Sequence, residues 1–163
     1  MSTLRGVFDS ARERLVDVPM EALGELVTPR RVLGVARARR IVHRGDAWHL
    51  GVLLITDRAV LSTAEIVRSR QEAPRGFTAE TQRRRAELSA AAFRGGFAEG
   101  TAVHVGWSEL DLDAVGRGTA SGPLAMIDGT PSVRWSAAAG FVPLAAYLDE
   151  RIALLAHPPQ GAT

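Results

Sequence analysis

The chain is expected to fold as an α+β protein in which an antiparallel sheet is flanked by helices, and three stretches carry that expectation. Trp48-His49-Leu50-Gly51-Val52-Leu53-Leu54-Ile55 is apolar on both alternating faces except at His49, as suits a central strand covered on both sides. Asp128-Gly129 between Met126-Ile127 and a Val133/Trp135 strand is a two-residue hairpin signal. Apolar residues recur at one-faced helical spacing near both ends of the chain.

From the N-terminus, residues 1–27 read as helical. Leu4, Val7, Phe8, Ala11 and Leu15 share a face, and Pro19 is placed to open a second short helix carrying Leu23, Leu26 and Val27, which Thr28-Pro29 ends. A β-rich core with a C-terminal helix follows over 31–157, so one domain is expected for the 163 residues. Val32 to His43 reads as a strand of irregular register, because Arg37 and Arg39 share a face that Arg40 leaves. Gly45-Asp46 reads as the turn before Trp48, and Thr56-Asp57-Arg58 as a tight turn into Ala59-Val60-Leu61. A polar loop over 67–78, with Pro74 and Gly76, precedes a helix from about Ala79 to Phe93. Thr78 suits its N-cap, Glu80/Arg84 and Arg83/Glu87 are its i,i+4 pairs, and Gly95-Gly96 stops it.

Beyond it, Val103, Val105 and Trp107 alternate with Ala102, His104 and Gly106. Leu110 and Leu112 alternate with Glu109, Asp111 and Asp113, and Pro131 demotes its strand to an edge or a bulge. Pro143 to Ala156 is an amphipathic helix with Leu144, Tyr147, Leu148, Ile152 and Leu155 on its apolar face. The count of strands is about seven.

Composition closes several kinds of chemistry. All twenty basic side chains are Arg, and Lys, Asn and Cys are absent, a bias that a GC-rich genome produces. Without Lys there is no Schiff base, Ser-x-x-Lys site or P-loop lysine. Without Cys there is no thiolate nucleophile, zinc ribbon or iron–sulfur ligand set. No cofactor and no metal are expected. With no apolar run of spanning length and no apolar leader, membrane insertion is not expected and the compartment is expected to be the cytoplasm.

The remaining candidates are few. His43, His49, His104 and His157 lack ligand spacing, but His49 and His104 lie on apolar strands where, with Trp48 and Trp107, they are positioned to line a ligand pocket. Glu109, Asp111 and Asp113 read as the wet face of a strand before they read as ligands of a hard cation. Gly116 to Gly122 leads into a strand and reads as a plain loop. Arg37/Arg39/Arg40 and Arg83/Arg84/Arg85 form a basic surface, and charge is uneven: 17 Arg against 11 acids through residue 94, then 3 against 7. No aromatic residue interleaves the clusters, so nucleic acid is not the expected partner.

The run Gly51-Val52-Leu53-Leu54-Ile55-Thr56-Asp57-Arg58-Ala59-Val60-Leu61, with the order of strands around it, resembles the bacterial PH-like domains, in which an apolar strand, a Thr-Asp-Arg turn and a second apolar strand recur. The resemblance covers at most 31–157. It implies a partly open barrel with a closing C-terminal helix, from which the N-terminal helices and the one inserted helix at 79–93 depart, and a role as a non-catalytic binding or assembly module; the uneven charge points to a protein partner or a second copy of itself. Two alternatives stand beside it: a small hydrolase with a His-lined pocket, and an Arg-mediated nucleic-acid binder if both clusters share one face.

Overall fold

The structure, a computed structural model, describes residues 3–71, 76 and 79–161; Pro74 of the expected loop and Thr78, the expected cap, lie outside the described residues. The fold is α+β, with four helices and ten strands among the described residues. It divides into two compact units, one of Met1–Met20, Ala47–Thr63 and Ser108–Thr163, the other of Glu21–Asp46 and Ala64–Trp107. Each has its own apolar core.

In the first unit, helix α1 (Leu4–Leu15) starts where the Thr3 side chain accepts from Gly6 N at 3.1 Å, and buries Leu4, Phe8, Ala11 and Leu15 as their spacing requires. The residues after it do not form the expected second helix. Glu21–Val27 is strand β1 of the second unit, for reasons given below.

Strand β2 (Arg40–Leu50) contributes residues 40–46 to the second unit and 47–50 to the first, and it passes straight through Gly45-Asp46, where a turn is expected. The turn falls instead inside the apolar run. Leu50 pairs with Leu53 of β3 (Leu53–Ile55) across Gly51-Val52, and Gly51 has φ +63, the glycine-first pattern of a two-residue hairpin. Tyr147 pins it: its Oη accepts from Val52 N at 2.9 Å and donates to Leu50 O at 3.2 Å.

The Thr56 turn forms as expected, Thr56 Oγ1 accepting from Arg58 N at 3.1 Å and Ala59 N at 2.8 Å, and leads into β4 (Val60–Ser62). In the second unit β5 (Glu65–Arg68) occupies the start of the expected loop, and helix α2 spans Glu80–Arg94. Gly95, where α2 ends, packs so tightly that an added Cβ would lie 1.6 Å from Ile41 O.

Strand β6 (Ala102–Val105) pairs antiparallel with β5 and parallel with β1, in the order β5-β6-β1-β2. The sheet is therefore mixed, not antiparallel. Pairing with β6 also explains β1: Glu-Ala-Leu favours a helix, but Ala22 and Leu23 are held opposite Val103 and His104, and Gly24 leaves room for Ile41 and Val103, whose methyls lie 2.4 and 2.6 Å from where its Cβ would stand. Ile41, Val67, Leu88, Ala91, Ala92, Val103 and Val105 form the core.

Back in the first unit the order is β2-β3-β4-β7, with β7 only Ser108–Glu109. The expected alternating strand through Asp113 does not form, because Asp111 caps a short helix α3 (Leu112–Gly116), accepting from Ala114 N at 2.8 Å. Strands β8 (Leu124–Ile127) and β9 (Thr130–Arg134) make the Asp128-Gly129 hairpin with φ +48 and +77, and β10 (Phe141–Pro143) completes a second sheet, β10-β9-β8. β9 is central, yet Pro131 precedes the residues that pair with β10, so its missing N–H costs no ladder bond there. Helix α4 (Leu144–Ala156) buries Leu144, Tyr147, Leu148 and Ile152 against this sheet and α1. No closed barrel exists among the described residues, and no helix of theirs is long and apolar enough to cross a membrane.

Candidate functional site

The two tryptophans and two histidines singled out from sequence are each tied to nearby groups. Trp48 is 7 % exposed in the first core and donates Nε1–H to Val18 O at 2.8 Å; His49 Nε2 lies 2.9 Å from Gly51 O. In the second unit Trp107 donates Nε1–H to Gly24 O at 3.0 Å, and His104 hydrogen-bonds the Glu21 carboxylate. A carboxylate-oriented imidazole has the form of a general base. At 1 % exposure His104 is closed to an incoming substrate.

Three clefts of the first unit, of about 420, 740 and 520 Å³, are lined by none of these four residues. The smallest gathers Glu109, Asp111 and Asp113 beside Arg5 and Arg58. Two of the acids are engaged otherwise than as ligands: Asp111 caps α3, and Asp113 meets Arg5 at 2.6 Å. The hydrogen bond and charge of Arg5 hold the Asp113 carboxyl below the ordinary aspartate range and raise the Arg5 guanidinium in turn. The Gly116–Gly122 loop closes on its own neighbours, Ser121 Oγ accepting from Asp111 N at 2.9 Å.

The basic residues compose a different surface. Residues 28–39, of which 32–39 are expected to begin a strand, form an arm between β1 and β2 without regular structure, apart from a tight turn at its tip. There Val35 N donates to Val32 O at 3.1 Å, Val32 and Val35 bridge, and Leu33 and Gly34 take φ +54 and +77. Every residue from 31 to 40 is exposed; Leu33 is 98 % exposed, Val35 66 % and Val32 48 %. Arg30, Arg31, Arg37, Arg39, Arg40 and Arg44 lie in a segment, 26–45, that contains no acid.

The base of the arm is fixed to α2. Arg39 pairs with Glu87 at 2.9 Å, while Arg94 donates Nε–H and Nη2–H to Arg39 O at 3.0 and 2.8 Å. The two arginine clusters thus belong to one unit, and the arm that carries the first is bonded to the helix that carries the second. On α2 the pairs differ from those expected, Glu80 reaching Arg83 and Arg84 reaching Glu65 at 3.4 Å. Arg30, Arg31, Arg37, Arg40 and Arg85 make no ion pair among the described residues. The second unit holds thirteen Arg against eight acids and the first seven against ten, so net charges of +5 and −3 sum to the chain's +2.

Sequence reasoning found Arg37, Arg39, Arg40 and Arg85 but not Arg30, Arg31 or the exposed tip that lies between Arg31 and Arg37. Its signal is present: an aliphatic Val-Leu-Gly-Val between two arginine pairs, with Gly placed for a turn. No protein-family model matches the chain, and neither the curated proteins nor the solved structures gave a significant match.

Proposed function

We propose that this protein is a non-catalytic binding module whose ligand is the phosphate backbone of duplex nucleic acid, held by the arginines of the arm and of α2. The observation that carries the reading is the bonding of Arg39 to Glu87 and Arg94, which joins an acid-free run of arginines to a 15-residue helix that also carries Arg83, Arg84 and Arg85. Such a helix is about 22 Å long, so arm and helix together give an extended row of cations suited to a polymer of phosphates rather than to a single anion. With no aromatic residue in the row to stack on bases, affinity comes from counterion release and is independent of sequence.

The reading sets a number. Five unpaired arginines correspond to a slope of about −4 to −5 in log K against log salt, or a loss of several hundred-fold between 50 and 200 mM. Fluorescence anisotropy of a generic 20-base-pair duplex across that range is the test. The double variant Arg37→Ala/Arg40→Ala is expected to flatten the slope by about two while leaving the fold intact, since both side chains are exposed. No binding at 50 mM salt, or a slope that the double variant leaves unchanged, overturns the proposal.

A second reading, contact with a protein partner or with another copy, is favoured by the aliphatic tip, because exposed apolar side chains gain most from a partner surface. Sedimentation at low and high salt separates the two. Association of copies together with indifference to duplex supports the second.

A further inference from the structure

Leu33 combines two unfavourable conditions in the free protein. Its side chain is almost wholly in water, and its backbone is in the left-handed region at φ +54, which is strained for a residue with a Cβ relative to the right-handed one. The first central position of such a turn is met more cheaply by Asn, Asp or Gly. A leucine there gains nothing within its own chain, and its neighbours Val32 and Val35 extend the same apolar tip.

The surroundings state what the tip meets. Arg30 and Arg31 stand two and one residues before Val32, and Arg37 two after Val35, so cations flank the tip on both limbs of the turn. At about 3.3 Å per residue Arg30 and Arg31 lie within roughly 10 Å of Leu33 and Arg37 within roughly 13 Å, a spacing that allows the arginines to reach phosphates on either side of a groove while the tip lies in it. The major groove offers thymine methyls to an aliphatic side chain, whereas in the minor groove the base faces open to it only when a base step is parted.

We propose that Leu33 is a wedge: resting on the duplex-binding reading above, the arm enters the minor groove, and Leu33, backed by Val32 and Val35, parts one base step and bends the duplex. Flexible pyrimidine–purine steps part most readily, so the site preference comes from deformability and not from base contacts. Parting a step costs stacking, which the arginines offset by following the bent backbone.

The experiment uses the full chain and a 20-base-pair duplex with dyes at its ends and 2-aminopurine at a central TA step, alongside vesicles of phosphatidylcholine with phosphatidylserine. Binding is expected to bring the dyes together, as a bend of about 20–90° requires, and to raise 2-aminopurine fluorescence. Leu33→Ala is expected to keep the salt slope and lose about half or more of both signals, and Leu33→Phe to keep them. The residue packs against nothing, so both variants leave the core untouched, and circular dichroism verifies this. Binding without a bend, or a bend that Leu33→Ala leaves unchanged, overturns the wedge and leaves backbone binding standing. Absence of duplex binding overturns both, and vesicle binding that depends on Leu33 without duplex binding assigns the tip to an anionic lipid surface instead.

Discussion

Arg5 and Asp113 meet at 2.6 Å with 64 % of each side chain exposed, a geometry in which solvent screens most of the attraction, so the pair orients α1 against the start of α3 more than it holds them together. Its signature is in titration. Asp113 is depressed by the guanidinium, first through the hydrogen bond and then through its charge. A depressed carboxylate contributes stability above its unfolded pKa of about 3.9 and loses it as pH falls through the lower folded value. Carboxyl NMR is expected to find Asp113 titrating below that reference, and Arg5→Gln to bring it back toward it. A midpoint that the variant does not move contradicts the pairing.

Elements whose cause is local were legible in the chain. The one-faced spacing of α1 and α4, the Thr56 turn and the Asp128-Gly129 hairpin each need only a few neighbouring residues. β1 was not legible, because the partner that makes it a strand is His104 opposite Leu23, some eighty residues on. The run 48–55 hid its turn because Val52 is as apolar as its neighbours, and what fixes the turn is Tyr147, on a distant helix. The candidate site followed the same rule: its arginines are visible in the sequence, but the bonds from Arg39 to Glu87 and Arg94 are not. Tyr147→Phe is therefore expected to remove an acceptor and a donor from the Gly51-Val52 turn and to cost about 1–3 kcal/mol, read as a lower midpoint in urea with unchanged slope. Gly51 has no side chain to compensate, since a Cβ there would lie 1.9 Å from the Tyr147 hydroxyl. An unchanged midpoint would mean that the hairpin holds itself.

The chain crosses between the units four times, and neither unit is a continuous segment. Residues 21–46 and 64–107 are loops of 26 and 44 residues whose ends are both set by segments of the first unit, and β2 runs through the boundary at Asp46. Closing such loops carries an entropic cost that grows only slowly with length, and while the first unit is folded that cost is already met for the second. Connectivity alone therefore couples their stabilities, and the coupling is reciprocal. Leu148, 2 % exposed in the first core, tests it. Leu148→Ala is expected to cost about 2–5 kcal/mol by leaving a cavity among Phe8, Leu50 and their neighbours. Hydrogen exchange in the variant should then accelerate at Val103 and Val105 of β6 as well as at Leu124 and Met126 of β8, although no atom of the second core has changed. Faster exchange confined to β8, with β6 as protected as before, would show that the units open separately and that the arm and α2 keep their scaffold when the first core fails.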